Sequence, residues 1–363
     1  MSEHGTWKQP ATVVATDESL VGVPGPATRW HRIKAVGSSA GATLAALLVG
    51  ALLIRIAGGR PLTAYGDLIS GAIGSEYAIG QLLVLAVPLL IIGLGLSLAF
   101  RGRVWNIGAE GQLYIGALAC GSLATVLPLH VGWLLIALSL TAAILGGTAW
   151  GGLVGVLRAQ WGVNEIITSL LLNYVGIFLF DYVIRVPLRD PTASSLEGKS
   201  VPGIAQLPQL PNYYVHAGIF IAAALVPVLA YVMRRTPFGF RVRMLGLNPE
   251  AARTAGVPTR RLIMSLMAIS GGLAGLAGGI QVLGVAFRLD PTISQNYGYT
   301  AIIVALLGRL SALGTVFAAI FIAGLTVGGQ AMSVTDSLPY SLVSAIEGIF
   351  VIFLLIADRF IRT

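Results

Sequence analysis

Long apolar runs separated by short polar connections set the pattern of this chain. They fall at roughly 35–57, 77–99, 107–127, 132–157, 165–186, 213–233, 262–284, 297–309, 312–332 and 341–358. A helix needs about 17–25 mainly apolar residues to cross a bilayer, and all of these runs except 297–309 have that length. The short run reads as a broken or re-entrant element, which a membrane tolerates where it lines a cavity. The pattern therefore predicts an all-α polytopic membrane protein of about ten transmembrane helices.

The polar stretches between the runs divide the chain further. Residues 1–34 are polar, carry Pro10, Pro24 and Pro26, and lack the apolar core of a secretory signal. They read as a disordered cytoplasmic tail ending in the anchor Arg29, Arg32 and Lys34. The connection 187–212 holds five prolines and separates five helices from five, which fits two halves of inverted topology. It is either a structured outer cap or a passive linker. The transmembrane domain runs over 35–358, followed by a short tail, 359–363.

Basic residues orient these runs. With the amino terminus inside, 17 of the 23 Lys and Arg fall in cytoplasmic segments, as the positive-inside rule requires. Ten crossings then return the carboxyl terminus to the cytoplasm. The largest such segment, 234–261, holds seven Arg and one acid. Within it, Asn248 to Gly256 can form a two-turn helix, a shape that a soluble partner can grip.

Composition supports this class and narrows the chemistry. Hydrophobic residues make up 56% and charged residues 10%, against about 25% charged in soluble domains. The net charge of +8 is accounted for by loop orientation and contact with anionic lipid, not by nucleic acid. A single cysteine, Cys120, and four scattered histidines offer no disulfide framework and no metal-ligand spacing. No GxxxxGK[ST] phosphate loop occurs. No serine has the base partner of a hydrolase, so the chain reads as non-enzymatic.

Polar groups inside the runs are the candidate pathway, because such groups usually face a bundle interior or a water-filled route. Asn106, Glu110 and Tyr114 recur every four residues with Gln112 between them, and so share a helix face. Glu165, Ser169 and Asn173 form a second stripe, with Asn164 and Thr168 beside it, and Glu347 lies within the last run. Together they could carry a hydroxylated solute. Alternatively, Glu110 and Glu165 are helix-start acids favoured by the helix dipole, paired with Arg101, Arg103 or Arg158. Two glycine ladders, one of Gly147, Gly151 and Gly155 and one of Gly271, Gly275 and Gly279, mark faces for close helix packing or for sliding.

The segments NIGAEGQ at 106–112, NEIITSLLLNY at 164–174, GLNPEAARTAG at 246–256 and YTAIIVALLGRLSALGT at 299–315 resemble the permease subunits of bacterial ABC importers. Within these they resemble the nucleoside and simple-sugar branch, nearest to the nucleoside side. The resemblance runs in order from about residue 35 to the end. It implies a type II importer bundle in the bacterial cytoplasmic membrane. The expected partners are a cytoplasmic ATPase that carries the ATP and Mg, a second and different permease chain, and an extracytoplasmic solute-binding protein. Gly246, Asn248, Pro249, Glu250, Ala251, Ala252, Arg253 and Gly256 would form the coupling helix seated on the ATPase. Asn248 suits the cap, Pro249 the first turn and Gly256 the exit. A permease for ribose-like sugars, other carbohydrates or a vitamin such as riboflavin is the alternative solute reading. A stand-alone ion-coupled carrier or channel, or a structural scaffold, would leave the basic loop without a partner.

Overall fold

In the computed structural model, residues 29–191, 197–211 and 214–362 are described. Most of the expected tail, 1–28, therefore lies outside the described residues. The first helix, α1 (Arg29–Ile56), takes in the last six residues of that expected tail, and the last helix, α13 (Tyr340–Arg362), continues into the expected carboxyl-terminal tail. The helices between them are α2 (Pro61–Ile73), α3 (Glu76–Arg101), α4 (Ala109–Val126), α5 (Gly132–Trp161), α6 (Glu165–Arg185), α7 (Gly218–Arg235), α8 (Pro237–Leu247), α9 (Pro249–Thr254), α10 (Thr259–Gln281), α11 (Tyr297–Leu307) and α12 (Ala312–Thr335).

Six of these helices are long and apolar enough to cross a membrane: α3, α5, α6, α7, α10 with its extension, and α12. A seventh is counted if α1 and α2, bent by 113° at Gly58 and Gly59, form one broken span. The fold is thus an all-α polytopic membrane bundle with six to seven long spans among the described residues. Helix α2 falls between the runs expected at 35–57 and 77–99. It has only 13 residues, carries Asp67, and is started by Pro61 in its first turn, so it lacks the length that marks a span.

The core is built around α3, whose central positions from Ala86 to Phe100 are almost all buried. Helix α10 packs against it, and α4, α5 and α10 pack on one another through glycine. A methyl added at Gly147 or at Gly271 would overlap the other residue's carbonyl oxygen, and one at Gly116 would overlap the backbone of Gly275. The side chains there are too small to hold the helices apart.

The six ladder glycines do not all meet glycine. Helices α5 and α10 run antiparallel, and the ladders face each other only in the middle of the contact, where Gly147 and Gly151 lie against Gly271 and Gly275. A methyl at Gly151 would press on Met267 O as well as on the Cα of Gly271. At the two ends of the seam the partners are side-chain-bearing residues. Gly155 lies against Met264 and Met267, where an added methyl would come within 3.0 Å of both. Gly279 lies against Ala143, 2.7 Å from where its methyl would stand, with Leu140 and Cys120 beyond. The seam is therefore a glycine-on-glycine centre flanked by glycine-to-side-chain contacts. The physical reason is register: three glycines spaced by four pair completely only if both triplets are centred on the same crossing point, and these are offset.

At one end of the bundle, the described part of 187–217 is folded onto a π-helical turn, Val282–Ala286, that extends α10. The amide of Leu207 donates to Leu283 O at 2.7 Å, and that of Val201 to Phe287 O at 2.8 Å. Gln209 Nε2 donates to Gly284 O at 2.9 Å. A π turn frees carbonyls from their intrahelical bonds, and the crossing chain takes them up. A two-stranded hairpin, β1 (Gln209–Leu210) with β2 (Val215–His216), closes this capped end. The opposite, basic end carries α8 and α9.

Candidate functional site

After Arg101, α3 gives way to residues 102–108, an irregular segment that runs inward from the basic end. Arg103 adopts φ +52°, and Asn106 is fully buried. An irregular backbone inside a bundle leaves amides and carbonyls unpaired, and the polar stripe residues supply their partners. Asn106 Oδ1 accepts from the Gly108 amide at 3.0 Å. Its amide group exchanges two hydrogen bonds with Gln112, at 2.8 and 3.0 Å, and Nδ2 also donates to Ser270 Oγ at 3.0 Å.

The second stripe meets the same segment from α6. Asn173 Oδ1 accepts from the Gly111 amide at 2.8 Å, while its Nδ2 donates to Ile107 O at 2.9 Å and to the Tyr299 hydroxyl at 3.2 Å. Ser169 Oγ accepts from the Ile107 amide at 3.2 Å. Asn106, Gln112, Ser169 and Asn173 are all fully buried. Asn106 and Gln112 of the first stripe and Ser169 and Asn173 of the second therefore meet in one network on this segment, each satisfied by protein groups.

Glu110 occupies the first turn of α4, and its carboxylate also reaches another helix. Helix α11 starts inside the bundle after Asn296, at φ +63°, whose side chain makes no cap bond, while Ser294 Oγ accepts the Tyr297 amide at 3.2 Å. Glu110 Oε2 accepts the Gly298 amide at 2.7 Å, so one acid serves the positive ends of two helices.

Glu165 lies at the basic end. Asn164 caps α6 through the Ile166 amide at 2.9 Å, and Thr168 Oγ1 donates back to Asn164 O at 2.8 Å. Glu165 forms an ion pair with Arg158, the last basic residue of α5. Arg158 also donates to Arg103 O at 3.4 Å. The three residues clamp the ends of α3, α5 and α6.

Glu347 stands apart from this network. It borders an apolar cavity of about 340 Å³ between α1, α2, α12 and α13, lined also by Tyr65, Met332 and Phe350. Among the described residues its buried Oε1 finds no hydrogen-bond partner.

Helix α9 forms as its sequence dictates. Asn248 Oδ1 accepts the Glu250 and Ala251 amides at 3.0 and 3.1 Å, Pro249 fills the first turn, and Gly256 leaves at φ +80°. Gly246 lies against the carbonyl of Arg101 with no room for a methyl, which seats the lever on the end of α3. Ala252 is buried against the bundle and is not part of the outer face. Glu250, Ala251, Arg253 and Ala255 are exposed, beside Leu247 at 79% exposure. A cavity of about 180 Å³ beneath them is lined by Arg103 and Arg158 as well as Glu250 and Arg253, so the lever borders the clamp.

Sequence reasoning missed Ser270, Tyr299, Gly298 and Leu247. The first three carry no periodic signal, because their partners lie more than 100 positions away. Leu247 was legible as an apolar residue within a basic loop. Among the described residues no group of His, Cys, Asp or Glu is arranged to hold a metal ion.

The family model for the permease component of the branched-chain amino acid transport system matches residues 78–357. A glucose ABC transporter permease protein, TsgB13 of Haloferax volcanii, is 36% identical over 90% of this chain and 89% of its own. The guanosine ABC transporter permease protein NupP of Bacillus subtilis is 31% identical over 86% and 90%. A second Bacillus subtilis guanosine permease protein, NupQ, is 25% identical over 66% and 77%. With its spans, its polar core and its sequence all in agreement, the chain belongs to the permease components of the branched-chain amino acid transport type.

Proposed function

We propose that this chain is the membrane permease of an ATP-binding cassette importer for nucleosides, working by alternating access. The observation that carries this reading is the end-to-end similarity to the guanosine permease NupP, joined to an exposed, self-capped α9 seated on α3. ATP and Mg sit on a partner ATPase whose closure pushes α9. The motion passes to α3, α5 and α6 through Gly246 and the Arg158–Glu165 clamp. The basic end faces the cytoplasm, as its Arg content requires, and both termini lie on that side. The capped end then faces an extracytoplasmic binding protein.

Two further expectations gain support here. Helix α3 with the inward segment 102–108 and α4 resembles, upside down, α10 with the inward segment 287–296 and α11. That pairing fits an inverted repeat. The second permease chain is of a different kind, since Bacillus subtilis holds two guanosine permeases of unequal similarity to this one.

The 36% identity to a glucose permease favours a sugar as the second reading. Uptake by the reconstituted complex, with guanosine set against glucose and ribose as competitors, decides between them. Competition by guanosine alone is the expected result, and competition by the sugars alone overturns the nucleoside assignment.

A further inference from the structure

One pocket near the capped end of α6 is walled by side chains that the polar network leaves aside. Tyr114, Ile177, Phe178, Phe180, Asp181 and Pro291 enclose about 160 Å³. Phe180 is buried and backs the pocket, with the ring of Tyr114 edge-on to it at 5.1 Å between centroids. The Tyr114 hydroxyl is fixed by donating to Pro291 O at 3.2 Å. Phe178 is 67% exposed, leaving its ring open to the surroundings. Asp181 Oδ1 accepts from Arg185 Nε at 2.7 Å, which sets a carboxylate and a guanidinium side by side at the rim.

The open face of α6 mixes aromatic and aliphatic side chains, with Ile167, Leu171 and Val175 each more than half exposed. Helix α6 packs chiefly on α4 and α5, and its open side carries Tyr174, Phe178 and Tyr182, each more than half exposed. These share one helix face with four-residue spacing. Tyr174 lies mid-span, where a phenol hydroxyl is costly against hydrocarbon, while Tyr182 and the Asp181–Arg185 pair stand in the last turn of α6, at the membrane edge. A second permease chain packed on this face would cover its apolar side chains and leave the polar groups along a route between the two chains.

From this geometry we infer that the Phe178–Asp181 pocket is a solute station that holds a nucleoside by its base. The inference rests on the nucleoside reading above and deepens it. The exposed ring of Phe178 offers a stacking face. Asp181 accepts from ring N–H or ribose hydroxyl groups, and Arg185 donates to a base carbonyl. Small-molecule pockets commonly enclose about 300 Å³ or more, so this half-pocket needs the facing chain to complete it.

The test uses the complete importer in proteoliposomes, with initial uptake rates of radiolabelled guanosine and uridine. Loss of an aromatic face costs the larger base more, so Phe178→Leu is expected to lower the guanosine-to-uridine ratio by about threefold or more. Asp181→Asn is expected to cut both rates by about tenfold at an equal amount of assembled complex. A ratio unchanged in Phe178→Leu, with the wild type moving both nucleosides, overturns the pocket alone. A loss in Asp181→Asn matched by loss of assembled complex also counts against it. A wild-type complex that moves neither nucleoside overturns the functional reading and the station together.

Discussion

Glu110 accepts the amide hydrogen of Gly298 at 2.7 Å, across 188 positions of sequence. This bond joins two helices that both begin inside the bundle, α4 and α11. A carboxylate there does what a local capping residue does elsewhere. Asn296, left-handed at the cap position, makes no side-chain cap bond.

Replacing Glu110 with Ala should therefore loosen α11 more than α4. The lost charge-assisted bond is worth about 1.5–3 kcal/mol. A lower Tm of the detergent-purified complex is expected, with partial recovery in Glu110→Gln, which keeps an acceptor. Equal Tm values in wild type and Glu110→Ala would remove the capping role.

Gly271 and Gly152 make a matched pair for the α5–α10 contact. A methyl at Gly271 would overlap Gly147 O, whereas one at Gly152 meets its nearest atom at 4.0 Å. Gly271→Ala should sharply reduce the amount of folded protein in the membrane, since overpacking costs about 1–3 kcal/mol or more. Gly152→Ala should leave it within twofold. Gly155→Ala should fall between them, because its neighbours Met264 and Met267 need yield only slightly at 3.0 Å. Fluorescence-detected size exclusion reads all three, and similar yields would refute a backbone-to-backbone seam.

At the exposed lever, Glu250→Ala combined with Arg253→Ala leaves the Asn248 cap and the buried Ala252 in place. Insertion and Tm should hold, because exposed charged side chains contribute little, about 0–1 kcal/mol even when paired. Uptake should fall at least tenfold. Normal uptake would detach α9 from the motor.

His216 gives the capped end a pH dependence. Its ring is buried beneath Gly284 and Gly218, and its Nδ1 accepts the Gly218 amide at 3.2 Å. Burial lowers its pKa from 6.5 to about 4. The folded form thus keeps the ring neutral while the unfolded chain takes up a proton. The associated stability is complete above about pH 6.5 and is lost as pH falls towards 4. Tm measured from pH 7.5 to 4.5 should fall, and His216→Asn should flatten the slope. Parallel slopes would locate the acid sensitivity elsewhere.

Several features were readable from residues alone because they are local. Asn248-Pro249 and Asn164-Glu165 cap their own helices within three residues. The glycine ladders needed only their four-residue spacing to be seen as packing faces. Which residues Gly151, Gly155 and Gly279 would meet was not legible, since that depends on where two distant helices cross. The alternative partner for Glu165, Arg158, lies seven positions before it.

The chain's own order of apolar and polar residues decided that it would be a helical membrane bundle, with its Arg-rich lever at one end. Hydrocarbon admits few other solutions for such runs, and caps act within a single turn. Tertiary structure alone decided that Asn106, Gln112, Ser270, Asn173 and Tyr299 would satisfy one another, and that Glu347 would sit in a separate cavity. It also decided that α2 would fold back at 113° and that Ala252 would face inward. A buried polar group must be paired, but which distant helix supplies the partner depends on how the spans close together.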